Sequence, residues 1–170
     1  MEELTSCSNC REEITADSDF CPHCGVLFPE AGGLVCERHS EQEAVGVCII
    51  CRVLVCEKCR VVMGNRTFCL DHGRIEVQQD WANVFQSTDI NEAALVKSLL
   101  ETSNFHVQVQ NFGSIGFAWE GGPDSSLSRS ALNKPAKLFV PIPEYLKAAE
   151  TVEQWETSAR SHDEADGLET

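Results

Sequence analysis

The sequence predicts a first half built of small cysteine-rich modules and a second half that folds as an α+β domain. Three observations lead there. All ten cysteines of the 170-residue chain lie at or before position 69. Each stands in a pair, with two residues between it and another cysteine or a histidine. Beyond position 80 the chain changes to apolar alternation and helical periods, the patterns of elements that bury one face against a neighbour.

Thirteen Lys plus Arg against 27 Asp plus Glu leave a formal charge of −14. Residues 1–75 hold seven basic and twelve acidic side chains, and residues 76–170 hold six and fifteen, so both halves are acidic. Such a surface repels phosphate backbones, which disfavours nucleic acid as a partner. No stretch approaches the roughly twenty apolar residues of a membrane span. The most apolar one, Val45 to Cys56, is twelve residues long and contains Arg52. The opening MEELTSCSNC is acidic and lacks an apolar core, so no export signal is read and a cytoplasmic location is expected. In a reducing compartment paired cysteines point to metal rather than to disulfides.

The pairs are Cys7/Cys10, Cys21/Cys24, Cys36/His39, Cys48/Cys51, Cys56/Cys59 and Cys69/His72. Six pairs supply twelve ligands, enough for three tetrahedral sites with no cysteine left over. A C-x2-C knuckle aims two sulfurs at one ion, about 2.3 Å from each, and zinc is the ion that favours this arrangement. Three structural zinc ions are therefore the expected cofactors.

Pro29-Glu30-Ala31-Gly32-Gly33 reads as a linker, and the polar stretch from Gly73 to Asp80 as a second connector. The expected units are 5–28, 34–73 and 81–157. The tail 158–170, with four acidic residues and one arginine, is expected to be disordered.

In the first unit Cys7, Cys10, Cys21 and Cys24 close one four-thiolate site across a ten-residue loop. Gly25 takes the tight position after the last ligand, and Phe20 and Phe28 can cover a site that has almost no other core. His23, between two ligands, reads as a surface residue. This stretch resembles the short zinc-ribbon modules found at the starts of bacterial proteins. That resemblance implies zinc but no particular function.

The second unit runs Cys36-x2-His39-x8-Cys48-x2-Cys51-x4-Cys56-x2-Cys59-x9-Cys69-x2-His72. Two sequential ribbons would use the first four ligands and then the last four. A cross-brace would pair the first knuckle with the third and the second with the fourth. The short bridge Arg52-Val53-Leu54-Val55 alternates like a strand and favours the cross-brace. With its C-x2-H opening and C-x2-C-x4-C-x2-C middle, this unit resembles the B-box zinc finger. The resemblance implies Cys36, His39, Cys56 and Cys59 on one zinc and Cys48, Cys51, Cys69 and His72 on the other. The ending departs from it: B-boxes place two histidines closer in, whereas Cys69-Leu70-Asp71-His72 follows a longer loop and supplies a thiolate.

Ten thiolates and three dications would take the formal charge from −14 to about −18. Arg52, Lys58, Arg60 and Arg66 lie close together in sequence, opposed only by Glu57. They either offset the thiolate sites or form a small basic face, and the acidity of the rest favours the first. Four protein ligands per ion leave no open position for water or substrate, which argues against metal catalysis.

In the third unit Trp81 to Ser87 reads as a strand with Trp81, Asn83 and Phe85 on one face. Thr88 or Asp89 caps a helix in which Ile90, Ala93, Val96 and Leu100 keep the helical period, and Asn104 stops it. Residues 105–112 alternate as a strand. A further strand is expected at Ile115 to Trp119 in a glycine-rich stretch, with Trp119 as a lid on the core. Lys137 to Ile142 is a strand, and Pro143 opens a closing helix with Leu146, Ala149, Val152 and Trp155 on its apolar face. The order β-α-β-β-α predicts one sheet with both helices on one face. The Glu92-Ala-Ala-Leu-Val-Lys-Ser-Leu-Leu helix, Val107-Gln-Val and Leu138-Phe-Val-Pro resemble a bacterial family described as signal-transducing and without an assigned activity. That resemblance implies a half-ferredoxin-like fold related to regulatory domains.

His106 reads as a lone surface histidine, and no phosphate-binding loop, carboxylate pair or Ser/His/Asp set is present. The expectation is a non-catalytic, zinc-binding adaptor or regulator that binds a protein partner in cytosolic signalling. A nucleic-acid-binding transcriptional regulator is the alternative. A RING-like ubiquitin-type ligase is the weaker one, since B-boxes share the cross-brace.

Overall fold

The computed structural model describes residues 4–28, 33–112 and 134–166. Most of the first linker, the strand expected at Ile115–Trp119 with its Trp119 lid, and the last four residues of the tail lie outside the described residues. The chain divides into two compact units, Met1–Ile75 and Glu76–Thr170. The ribbon of 5–28 and the module of 34–73, expected as separate units, share the first of these. No helix among the described residues is long and apolar enough to cross a membrane.

Among its described residues the first unit holds four two-stranded antiparallel pairs, each too short to hold a core alone. Strands β1 (Leu4–Ser6) and β2 (Glu13–Thr15) pair antiparallel, as do β3 (Val35–Cys36) and β4 (His39–Glu43). Strand β5 (Gly46–Val47) pairs with β6 (Leu54–Val55), and β7 (Val61–Met63) with β8 (Arg66–Phe68). The last hairpin turns through Gly64 and Asn65, both at positive φ, as its two-residue loop requires. Around the first cysteine group Ile14 is buried, with Val26 and Phe28 packed against it. Ile14, the middle residue of β2, is the core residue that sequence spacing does not single out.

Among the described residues the second unit forms a four-stranded antiparallel sheet in the order β11-β12-β10-β9, where β9 is Val77–Gln78, β10 Trp81–Ser87, β11 Gln108–Gln110 and β12 Ala136–Pro141. Strands β10 and β11, joined through helix α1 (Ile90–Thr102), flank β12 and run parallel to each other. Helix α2 (Tyr145–Asp166) follows β12 after a single 3₁₀ turn at Ile142–Glu144 that holds Pro143. Both helices cover one face, where Ala93, Val96 and Leu100 of α1 and Ala148 and Val152 of α2 meet Phe85, Ala136, Leu138 and Val140. Trp155 closes this core edge-on against Phe85, with ring centroids 6.1 Å apart. Asp89 caps α1 by accepting the Asn91 N–H at 2.8 Å, and Asn104 beyond its end lies at φ 63°.

Several expectations are corrected here. The register of β10 against β12 shifts between Asn83 and Phe85, so Val84 forms a bulge. That extra residue reverses the alternation, placing Phe85 opposite Leu138 on the helix side while Trp81 and Asn83 pair with Pro141 and Phe139 on the other. On α2 the core face runs through Tyr145, Ala148, Val152 and Trp155, whereas Leu146 is exposed. Helix α2 continues through Asp166, so residues 158–166, expected as disordered tail, are helical. Extending a helix that packing has already nucleated adds one hydrogen bond per residue fixed, and a polar composition does not prevent it. Strand β9 falls within the supposed connector, and its two residues are too few to show a period.

Candidate metal centres

The knuckles are set by backbone geometry. In three of them the residue after the second cysteine has a left-handed conformation: Arg11 at φ 67°, Gly25 at 75° and Arg52 at 64°. Its N–H donates back to the carbonyl of the first cysteine, Arg11 to Cys7 at 2.9 Å, Gly25 to Cys21 at 2.8 Å and Arg52 to Cys48 at 2.9 Å. This turn points both sulfurs of a pair to the same side. At the arginines it costs on the order of 1–3 kcal/mol of backbone strain, which the surrounding site must offset.

The twelve predicted side chains form three groups of four: Cys7, Cys10, Cys21, Cys24; Cys36, His39, Cys56, Cys59; and Cys48, Cys51, Cys69, His72. Within each group the ligand atoms lie within 4.8 Å of one another. The second and third groups interleave along the chain, first knuckle with third and second with fourth, so the alternative of two sequential ribbons is not what the chain adopts. Strand β6, which contains Leu54 and Val55 of the short bridge, carries the chain from one group to the other.

The separations test whether a metal fits. Corners about 2.3 Å from the centre of a tetrahedron lie about 3.8 Å apart, and a sulfur–nitrogen edge is about 3.6 Å. Cys7 Sγ is 3.8 Å from Cys24 Sγ, Cys10 3.6 Å from Cys21, and Cys51 3.7 Å from Cys69. His39 Nδ1 lies 3.8, 3.5 and 3.3 Å from the sulfurs of Cys36, Cys56 and Cys59. His72 Nδ1 lies 3.7 Å from Cys48 Sγ and 3.1 Å from Cys69 Sγ. All ten cysteines are free thiols. Both histidines thus face their group through Nδ1, and the donor set suits a tetrahedral ion of zinc's size and softness.

The thiol acidities diverge within each group. Each group holds one thiol below the ordinary value and at least one above it. Although burial opposes it, hydrogen bonds from the backbone of Cys10 and Asn9 lower Cys7 to about 7. Cys36, against the same opposition, falls to about 6 through the backbone of Cys56 and Arg38 and the His39 ring. Cys48 falls to about 4, chiefly through Cys51. Burial pushes Cys10, Cys21 and Cys69 up, burial and then Cys36 and Cys56 push Cys59 up to about 11, and Cys48 above all pushes Cys51 up. Without a cation one thiolate suppresses its neighbours' ionisation; a dication at the centre lets all of them ionise together.

The first group and the interleaved pair are joined through their ligand-bearing backbone. Val47 N donates to Gly25 O and Thr67 N to Cys24 O, both at 2.8 Å, while Ile49 N donates to Thr67 O at 3.0 Å. Val47 precedes ligand Cys48, and Thr67 is two residues from ligand Cys69, so the first and third groups share this seam. Arg52 adds to it, donating to Pro22 O at 2.9 Å with its guanidinium 5.9 Å from the centre of the Phe20 ring. Arg60 pairs with Glu57, and Arg38 with Asp71. Of the basic stretch, Arg52 and Arg60 are thus engaged within the unit.

In the second unit His106 Nδ1 lies 2.7 Å from Glu144 Oε1, and its backbone N–H donates to Glu144 Oε2 at 2.9 Å. Burial pushes this carboxyl up, but the two bonds from His106 prevail and hold it below the usual range. His106 is an exposed partner in a structural pair, not a member of any metal group among the described residues. No family model, curated protein or solved structure matches the chain.

Proposed function

We propose that the chain is a non-catalytic zinc protein that acts as an adaptor or regulator, its first unit presenting a metal-stabilised surface to a protein partner. The observation that carries this reading is the closure of all three groups by four protein ligands. Such sites organise a small fold and leave no position for substrate. On this reading the first group is a zinc ribbon and the interleaved pair a B-box-like finger. The second unit is a half-ferredoxin-like regulatory domain, a reading supported by β10 and β11 flanking β12 beneath two helices. The engagement of Arg52 and Arg60 within the first unit, on a chain of charge −14, disfavours nucleic acid as the partner.

The test is affinity purification from the native cell with the metal-loaded full chain and with a Cys48→Ser variant. A discrete protein partner, retained after nuclease treatment and lost with the variant, is the expected result. Recovery of nucleic acid in place of protein, or equal retention by both baits, would contradict the reading.

A further inference from the structure

Eight of the ten cysteines are buried, their residues at most 3% exposed, and only Cys10 and Cys51 are half-buried. The two open onto different surroundings. Cys51 lines a cleft of about 250 Å³ whose walls include Val53, Leu54 and Leu70, and whose Arg38 and Asp71 pair with each other. Cys10 lines a polar cleft of about 420 Å³ together with Asn9, Arg11, His23, Asn65 and Arg66, opposed by the single carboxylate of Glu12. The Cys10 sulfur lies 3.6 Å from that of Cys21, which is buried.

From this we infer that Cys10 is an oxidant-reactive site, open to small hydroperoxides and resolved by Cys21. The inference rests on the zinc reading above, which makes the Cys10 sulfur a thiolate at neutral pH. In the first step that thiolate attacks one peroxide oxygen, the O–O bond breaks and hydroxide leaves. Arg11, His23 and Arg66 line the cleft where that charge develops. The Cys21 thiolate then attacks the oxidised Cys10 sulfur, forms the S–S bond and expels a second hydroxide. The two sulfurs lose two electrons and the peroxide gains them. Two of the four ligands are then spent, and the first group no longer holds its ion. Cys36 and Cys59 of the second group line the cleft at Cys51, but the three sulfurs of that group are at most 2% exposed and its exposed member is His39.

The experiment treats the metal-loaded full chain with hydrogen peroxide, following zinc release with a chromogenic chelator and mapping oxidised cysteines by peptide mass spectrometry. Metal content is measured beforehand, so a shortfall in zinc is recognised separately from a failure of this site. One equivalent should leave several-fold faster than the other two, with a Cys10–Cys21 disulfide as the first product and recovery on adding reductant and zinc. Cys10→His, which keeps four ligands, should bring that equivalent down to the rate of the rest. First oxidation at Cys51 or Cys69, or simultaneous oxidation of all three groups, would overturn the assignment, and the sulfur map decides this whatever the starting metal content.

Discussion

At the residue scale the seam between the first and third groups depends on Gly25. Its φ of 75° disfavours any side chain, and a Cβ there would lie 2.0 Å from the Val47 carbonyl oxygen. Backbone cannot swing aside as a flexible side chain can, so Gly25→Ala is expected to cost at least about 2 kcal/mol. Amide exchange should rise at Val47 and Thr67 before it rises in the second unit; unchanged protection there would count against the seam. A second residue-scale effect concerns pH. The Lys137 ammonium and Gln78 hold the Glu76 carboxyl below its ordinary value against the opposing effect of burial, as His106 does for Glu144. A carboxyl lowered in the folded state binds fewer protons than in the unfolded chain. Its stabilisation is full above the unfolded value and is lost as pH falls through the folded one. Both pairs are partly exposed, so each contributes about 0.2–1 kcal/mol. In urea unfolding of the second unit, Glu76→Gln should flatten part of the acid dependence, and an unaltered pH profile would show the pair to be inert.

At the element scale the interleaving of the second and third groups makes a distinctive pattern. Cys36 and Cys59 share a group across the sequence, while Cys36 and Cys48, which sequential ribbons would unite, belong to different ones. In Cys36→Ser, alkylation should therefore accelerate at Cys56 and Cys59 and leave Cys69 protected. Faster labelling of Cys48 and Cys51 alone would indicate sequential ribbons. The ligands were legible in the sequence because the x2 spacing is itself the geometry of the knuckle. The Arg52–Val55 bridge does not by itself fix the grouping, because sequential ribbons would also place Cys51 and Cys56 on different ions; it is the folded unit that brings Cys36 and His39 to Cys56 and Cys59. Other features leave no such mark. The bulge at Val84 reverses the face of β10 without any glycine or proline to announce it. The phase of α2 follows from how Ala148 packs on the sheet, so Leu146, the larger apolar residue, is left outside. Nor does composition show that the Cys24 and Gly25 carbonyls accept from Thr67 and Val47 of the neighbouring module, because those bonds are made by backbone.

At the scale of the whole molecule the two units rest on different physics. The second has a contiguous apolar interior between its sheet and helices, while the first buries its cysteine ligands interspersed with apolar side chains such as Ile49, Ile50 and Phe68. A strong chelator should accordingly melt the first unit and leave the second with a cooperative thermal transition of its own. A single coincident transition, lost entirely on chelation, would show that the sheet domain depends on the metal as well. The central claim is that all twelve ligands serve three ions, and native mass spectrometry of protein purified without chelator tests it most directly. The account predicts one dominant species carrying three zinc ions per chain, with chelation shifting it to the apo mass. A chain with one ion or none, its cysteines oxidised to disulfides in the same spectrum, would contradict it.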